Sequence, residues 1–318
     1  MSHNLQIFQT VAAFALVVLV CLGLKRQGVI QEEHNPIFTG LLTKAAIPAA
    51  IVYHLALNRV SAQQALMVVP IMVAVCICVA VAWVAARLLR LDRGRTGALM
   101  LASGFSSSTL IGYPLVQYAF PGDPGAMTDA ILISELGMGL PIFTLGVGIA
   151  VYWGASGSDP AARRRALGSY FRSPIFAALV VGLFLAPLGF DPTQPWLAPL
   201  FSACSMIDAA IALLSCLILA VELRLDYDWR PLLVLLAVAA VIKLGLQPWL
   251  GYGQTHIFGL TWQQSEVLIL ESAMPSAILG VVFATQYRCA APTVAALSFG
   301  TIILSLAAVP VVFTLLAP

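Results

Sequence analysis

Ten apolar runs of about bilayer-spanning length occupy most of this chain, at 5–24, 36–57, 64–89, 97–120, 126–153, 174–190, 196–222, 231–250, 261–286 and 292–316. A helix needs about 20 residues to cross the hydrocarbon core, and these runs are too long and too uniform for the alternating strands of a membrane barrel. The fold class they predict is an all-α polytopic membrane protein with ten transmembrane helices. Hydrophobic residues make up 60% of the 318 and charged residues 9%, against about 25% charged in an ordinary soluble domain. That balance excludes a soluble enzyme, a secreted disulfide scaffold, a disordered protein and a nucleic-acid binder, and it makes the lipid bilayer the first partner. No Lys or Arg precedes the first run, so that run is expected to stay rather than be cleaved as a secretory signal.

The basic residues set an orientation. Lys25 and Arg26 follow the first run, Arg87, Arg90, Arg93 and Arg95 the third, Arg163, Arg164, Arg165 and Arg172 the fifth, Arg224 and Arg230 the seventh, and Arg288 the ninth. Thirteen basic residues thus fall on one side and only Arg59 on the other, while Lys44 and Lys243 lie within runs. With the positive loops inside, both termini lie outside the cytoplasm. The six cysteines have no metal-ligand spacing and read as buried, inert thiols. The tryptophans at 83, 153, 196, 229, 249 and 262 fall near run ends, where an interfacial belt places them.

The polar, basic stretch at 154–172 divides the chain into 1–153 and 173–318, each with five runs. An odd number per half turns the second half upside down, which predicts an inverted repeat. The third and eighth runs begin near 64 and 231, the fifth and tenth near 126 and 292. Lys44-Ala-Ala-Ile-Pro matches Asp208-Ala-Ala-Ile-Ala at the same spacing. Prolines interrupt the fourth run at Pro114 and the ninth at Pro275. A mid-helix proline frees a carbonyl one turn earlier, and in lipid that group needs a protein, water, ion or substrate partner. Inverted-repeat carriers place their sites where such interrupted helices meet. Ser107, Ser108, Thr109 and Gly112 beside Pro114, and Ser276 beside Pro275, are therefore the candidate substrate contacts.

At these residues the chain resembles the auxin efflux carrier family, within the bile-acid/auxin transporter superfamily. The resemblance covers essentially the whole chain and rests on Ile111-Gly112-Tyr113-Pro114-Leu115, Ala273-Met274-Pro275-Ser276, Ile47-Pro48-Ala49 and the stretch 284–287. It implies that the fourth and ninth helices cross at their breaks. It also implies a scaffold of helices 1, 2, 6 and 7 and a moving transport unit of helices 3–5 and 8–10. A bacterial member would sit in the inner (plasma) membrane, carry small organic anions such as malonate-like dicarboxylates, and have a homodimer as a known state. The chain departs from the family at Ser107, where Asn is common, and at Glu271, where Gln is common.

Charges in hydrocarbon are costly, so each is expected to face a cavity or a partner. Glu271, one turn before Pro275, suits either a proton carrier or a sodium ligand in an oxygen shell with Ser108 and Thr109. Glu135 in the fifth run is a second proton or ion ligand. Lys44 lies about eight residues, hence about 12 Å, from the start of its run. It is read as snorkelling, as pairing with Asp208, or as anchoring a substrate carboxylate. Lys243 has no evident partner beyond Glu135 or the interface. His54 and His256 read as interfacial, Glu266 as wet, and Asp226 with Asp228 as a solvated cluster. No cofactor or metal is expected beyond a sodium ion or proton. No P-loop, GxSxG or HExxH occurs, which favours a secondary carrier over an ATPase or intramembrane enzyme. A non-transporting metabolite sensor and a sodium-coupled bile-acid-type symporter remain the alternatives.

Overall fold

Backbone amides find no water in hydrocarbon, so an apolar chain of this kind has to close its hydrogen bonds within helices. The computed structural model describes residues 3–57, 60–154, 171–188, 194–222 and 232–316. Among them the chain is all-helical, and its only β-type pairing is a single antiparallel bridge between Ser106 and Ser276. The central loop with Arg163–Arg165, and also Arg59, Arg224, Asp226, Asp228, Trp229 and Arg230, lie outside the described residues.

Among the described residues, seven helices are long and apolar enough to cross a membrane. They lie in α1 (His3–Arg26), α2 (Glu32–Leu57), α3 (Gln64–Leu88), α6 (Gly125–Trp153), α8 (Ala198–Val221), α9 (Leu233–Ile257) and α12 (Ala291–Leu316). The other three expected runs take different forms. The sixth is the shorter apolar helix α7, Pro174–Leu188. The fourth is split into α4 (Arg93–Gly104) and α5, the π-helical turn Ser108–Gly112 continuing as Tyr113–Ala119. The ninth is split into α10 (Trp262–Ser272) and α11 (Ile278–Gln286).

The helices pack in a continuous bundle. α2 lies against α7 and α8, and α1 against α8, with α1 also lying against α5 and α12, and α2 against α6. Elsewhere α3 packs on α4, α6 and α9, α10 on α9, and α11 on α12. Basic residues tie helix ends together in two places. Lys25 Nζ donates to the Val221 carbonyl at 2.7 Å, joining the ends of α1 and α8. Arg93 at the start of α4 donates to the Tyr152 carbonyl at the end of α6, and its guanidinium lies 5.1 Å from that tyrosine's ring centre.

At that end Gly154 closes α6 against the loop after α11. A Cβ there would sit 2.2 Å from the Tyr287 carbonyl and 2.5 Å from that of Ala150. Both obstacles are backbone, so no side-chain movement relieves them. Gly154→Ala is expected to destabilise by about 1–3 kcal/mol, the usual range for overpacking, read as a lower thermal midpoint of the purified protein in detergent.

Large apolar side chains stand outside, among them Leu16, Leu19, Leu88, Phe184, Met206 and Val241, each more than 60% exposed. A water-soluble protein rarely shows so broad an apolar surface. Hydrocarbon covers it without penalty. Of the cysteines, Cys76 is exposed while Cys21, Cys78, Cys216 and Cys289 are buried. The expectation of six buried thiols therefore fails at Cys76, because residues two apart on α3 face different directions.

Candidate functional site

α4 stops at Gly104, where Phe105 turns extended, and α10 stops at Ser272. The two interruptions, 105–107 and 273–277, lie against each other in antiparallel register. The Ser107 N–H donates to the Pro275 carbonyl at 2.8 Å and the Ala277 N–H to the Phe105 carbonyl at 2.9 Å. These bonds satisfy backbone groups that a broken helix would otherwise leave stranded. Pro275 loses nothing by lacking an N–H, since its carbonyl is the group in use. Ser276 is fully buried. Its hydroxyl donates to the Ala102 carbonyl, and its N–H donates to Thr301 Oγ1 at 3.2 Å.

Two candidate contacts thereby change role. Ser276 fastens the crossing and does not line the cavity beside it. Pro114 is seven residues from Ser107 and lies in helix, not in the break. The π turn before it makes this possible, with the Tyr113 N–H reaching back to the Ser108 carbonyl. Pro114 borders an apolar groove with Phe14, Val17 and Leu213 instead.

A cavity of about 350 Å³ lies on one side of the crossing, walled by α2, α5, α6, α7 and α11. Its polar wall is Ser106, Ser107, Ser108, Thr109, Ser134 and Glu135; most of the remainder is aliphatic or aromatic. The N-termini of α5 and α11 both begin at this cavity, and neither Ser107 nor Ala277 caps its helix with a side chain. Helix N-termini carry unsatisfied N–H groups and partial positive charge. Glu135, on the π-helical segment Leu132–Gly139, accepts at Oε1 from Tyr113 Oη at 2.8 Å and Thr109 Oγ1 at 3.2 Å. Thr109 also lies 2.8 Å from Ser134 Oγ.

Behind the crossing is a second, closed polar cluster. Glu271 is fully buried, and neither of its oxygens has a hydrogen-bond partner at normal geometry; the hydroxyls of Ser108 and Ser272 are in the same condition. The carboxylate fits there because Gly112 has no side chain: a Cβ at Gly112 would sit 2.5 Å from each Glu271 oxygen. Of the expected shell, Ser108 lies beside Glu271 while Thr109 turns to Glu135. Gly112 faces Glu271, not the cavity.

Lys243 completes this cluster. It is fully buried on the π turn Val241–Leu246. Its Nζ donates to Ser106 Oγ at 2.5 Å, to Gln247 Oε1 and to the Ser272 carbonyl at 3.4 Å. It neither snorkels nor reaches Glu135. Its depth near the middle of α9 was readable from the sequence but its partners were not; Ser106 belongs to the hydroxyl run after Gly104, while Gln247 and Thr301 carried no signal.

Lys44 is exposed and takes neither a cavity position nor a bond to Asp208. Asp208 is buried; its Oδ2 lies 3.1 Å from His54 Nε2 and accepts from Gln117 Nε2 at 3.3 Å. His54 is therefore part of a polar contact between α2, α8 and α5. Glu266, expected to be wet, is 2% exposed.

A description of membrane transport proteins matches residues 6–155 and 163–313, nearly the whole chain and both sides of the crossing. The chain belongs to the auxin efflux carrier-like membrane transport family. Among its relatives is an uncharacterized transporter of Methanothermobacter thermautotrophicus, 26% identical over 312 residues that cover 95% of this chain and 96% of the relative. Another is an uncharacterized transporter of Methanocaldococcus jannaschii, 24% identical over 297 residues, 92% of each chain. Membership in this family makes the chain a multi-pass membrane transporter and gives the crossing a functional setting.

Proposed function

We propose that this protein is a secondary carrier of a small organic anion working by alternating access. The observation that carries the reading is the pairing of the two helix interruptions beside a 350 Å³ cavity into which two uncapped helix N-termini open. Such ends attract a carboxylate through N–H groups and dipole, while the aliphatic walls accept a short carbon skeleton. In this reading the chain crosses the bilayer ten times as two inverted five-helix repeats, the split segments α4–α5 and α10–α11 counting as one crossing each and α7 as another. The group of α1, α2, α7 and α8 is the scaffold, and the remainder moves against it. With the positive loops inside, the cavity opens towards the cytoplasm in this reading, as Ser173 and Ile175 at the start of α7, just after the basic stretch, line it. The His54–Asp208–Gln117 contact then closes the outer side. Glu271 is the coupling group, and Ser107, Ser108 and Thr109 contact the substrate.

A second reading has one specific observation behind it. Glu135 is the only ionisable side chain among the described residues lining the cavity, which suits a substrate bearing an ammonium group alongside its carboxylate.

Counterflow separates these outcomes. Proteoliposomes loaded with unlabelled malonate are expected to take up labelled malonate transiently above equilibrium, and amino acids to compete poorly. Competition by amino acids but not by dicarboxylates supports the second reading. Saturable binding without counterflow of either class identifies a sensor.

A further inference from the structure

The Lys243 ammonium stands where a coupling cation would otherwise be held. An ammonium has three N–H donors and no acceptor. All three find oxygens here, in Ser106 Oγ, Gln247 Oε1 and the Ser272 carbonyl. Ser106 and Ser272 belong to the two interrupted segments and Gln247 to α9, so the ammonium ties the crossing to a third helix. A hydroxyl, an amide oxygen and a carbonyl released at a helix end are also the hard oxygen ligands that a small metal cation takes in a membrane carrier. Beside them lies the Glu271 carboxylate, within electrostatic reach of Lys243 and without a hydrogen-bond partner at normal geometry. Oxygens of this kind around a carboxylate would form a cation site if the lysine were shorter.

We infer that Lys243 is a tethered replacement for a sodium ion at the crossing, and that the carrier therefore runs without sodium. The inference rests on the carrier reading for its meaning in transport, and on the geometry of Lys243 alone for its chemistry. It leaves the proton as the exchangeable cation and Glu271 as the group that holds it. The groups that face this exchange are few. Lys243 is within electrostatic reach of Cys78 from α3 and Glu271 from α10; Glu271 is within electrostatic reach of Lys243, Glu135 from α6 and Tyr113 from α5. α4 carries basic residues only at its far end, and α12 carries no ionisable group.

Sodium itself is the probe. For the purified full-length protein in detergent, equilibrium dialysis with radioactive sodium is expected to find no saturable binding. The thermal midpoint is expected to be the same in sodium chloride and in choline chloride at equal ionic strength. Lys243→Ala should acquire saturable sodium binding and a midpoint raised by sodium over choline, since a ligand that binds only the folded state stabilises it. Adding Glu271→Gln should abolish both. Saturable sodium binding by the wild-type protein overturns the inference, as does a folded Lys243→Ala protein that binds no sodium. If that variant does not fold, the wild-type measurement decides. These outcomes leave the carrier reading to malonate counterflow, which uses no sodium, so the two failures are distinguishable.

Discussion

Glu271→Gln is expected to abolish accumulation driven by a pH gradient while leaving counterflow largely intact. The side chain is fully buried and both carboxylate oxygens lack a hydrogen-bond partner at normal geometry, so no strong structural contact is lost on replacing one oxygen by an amide nitrogen. The two side chains have nearly the same shape, and the cost to folding should stay within about 1–2 kcal/mol, the scale of one unsatisfied polar atom. The amide, however, cannot take up and release a proton. With the membrane potential clamped at zero, a pH difference of one unit is worth about 1.4 kcal/mol per proton and supports roughly tenfold accumulation of an anion that moves with one proton in the wild type. In the variant the internal and external concentrations should become equal under the same gradient. Labelled malonate uptake with and without the gradient measures both quantities. Tenfold accumulation by Glu271→Gln would remove this carboxyl from coupling, and loss of counterflow as well would make it a substrate or structural contact.

Several helix lengths were legible in the apolar runs because a bilayer selects directly for hydropathy and length. The runs at 64–89, 126–153 and 292–316 differ by at most one residue at either end from Gln64–Leu88, Gly125–Trp153 and Ala291–Leu316. The position of the first interruption was not legible from proline. Pro275 falls within its break, whereas Pro114 is absorbed by the π turn Ser108–Gly112, whose wider hydrogen-bond spacing accommodates the missing N–H. The hydroxyl run after Gly104 marks the first break better than the proline does. The lysines illustrate a different limit. Lys44 and Lys243 both lie inside apolar runs, and depth along a helix is readable from sequence, but direction around it is not. Successive residues turn by about 100°; Thr43 and Ile47 line the cavity while Lys44 between them is exposed. Which face meets the crossing is decided by helix packing, and so the sequence admits Lys44 as a substrate anchor while it leaves Lys243 to Glu135 or the interface. Asp208 was tied to Lys44 by a repeat match, yet its partners His54 and Gln117 come from helix positions with no sequence relation to it.

Gly112→Ala is expected to disturb the crossing. The added carbon would lie 2.5 Å from both Glu271 oxygens and 2.8 Å from the carbon that joins them, far inside van der Waals contact. A carboxylate at the end of a side chain normally swings aside, but Glu271 is sealed from all solvent and flanked by α5, α6 and α9 through Ser108, Glu135 and Lys243. Either the carboxylate is displaced or α5 is pushed away from α10. Each outcome strains the backbone bonds between Ser107 and Pro275 and between Ala277 and Phe105. The cost should be about 1–3 kcal/mol, with gradient-driven accumulation lost together with stability. The clash is with one side chain, so it can be relieved by that side chain. Gly112→Ala combined with Glu271→Ala should regain most of the thermal midpoint lost by Gly112→Ala alone, as expected for contacting residues whose effects do not add. Accumulation should remain absent in the pair, because the carboxyl is gone. Thermal midpoints of the four proteins in this cycle test the contact without reference to transport. Additive losses would mean that Gly112 and Glu271 do not touch, and the close approach of the two broken segments would have to be abandoned.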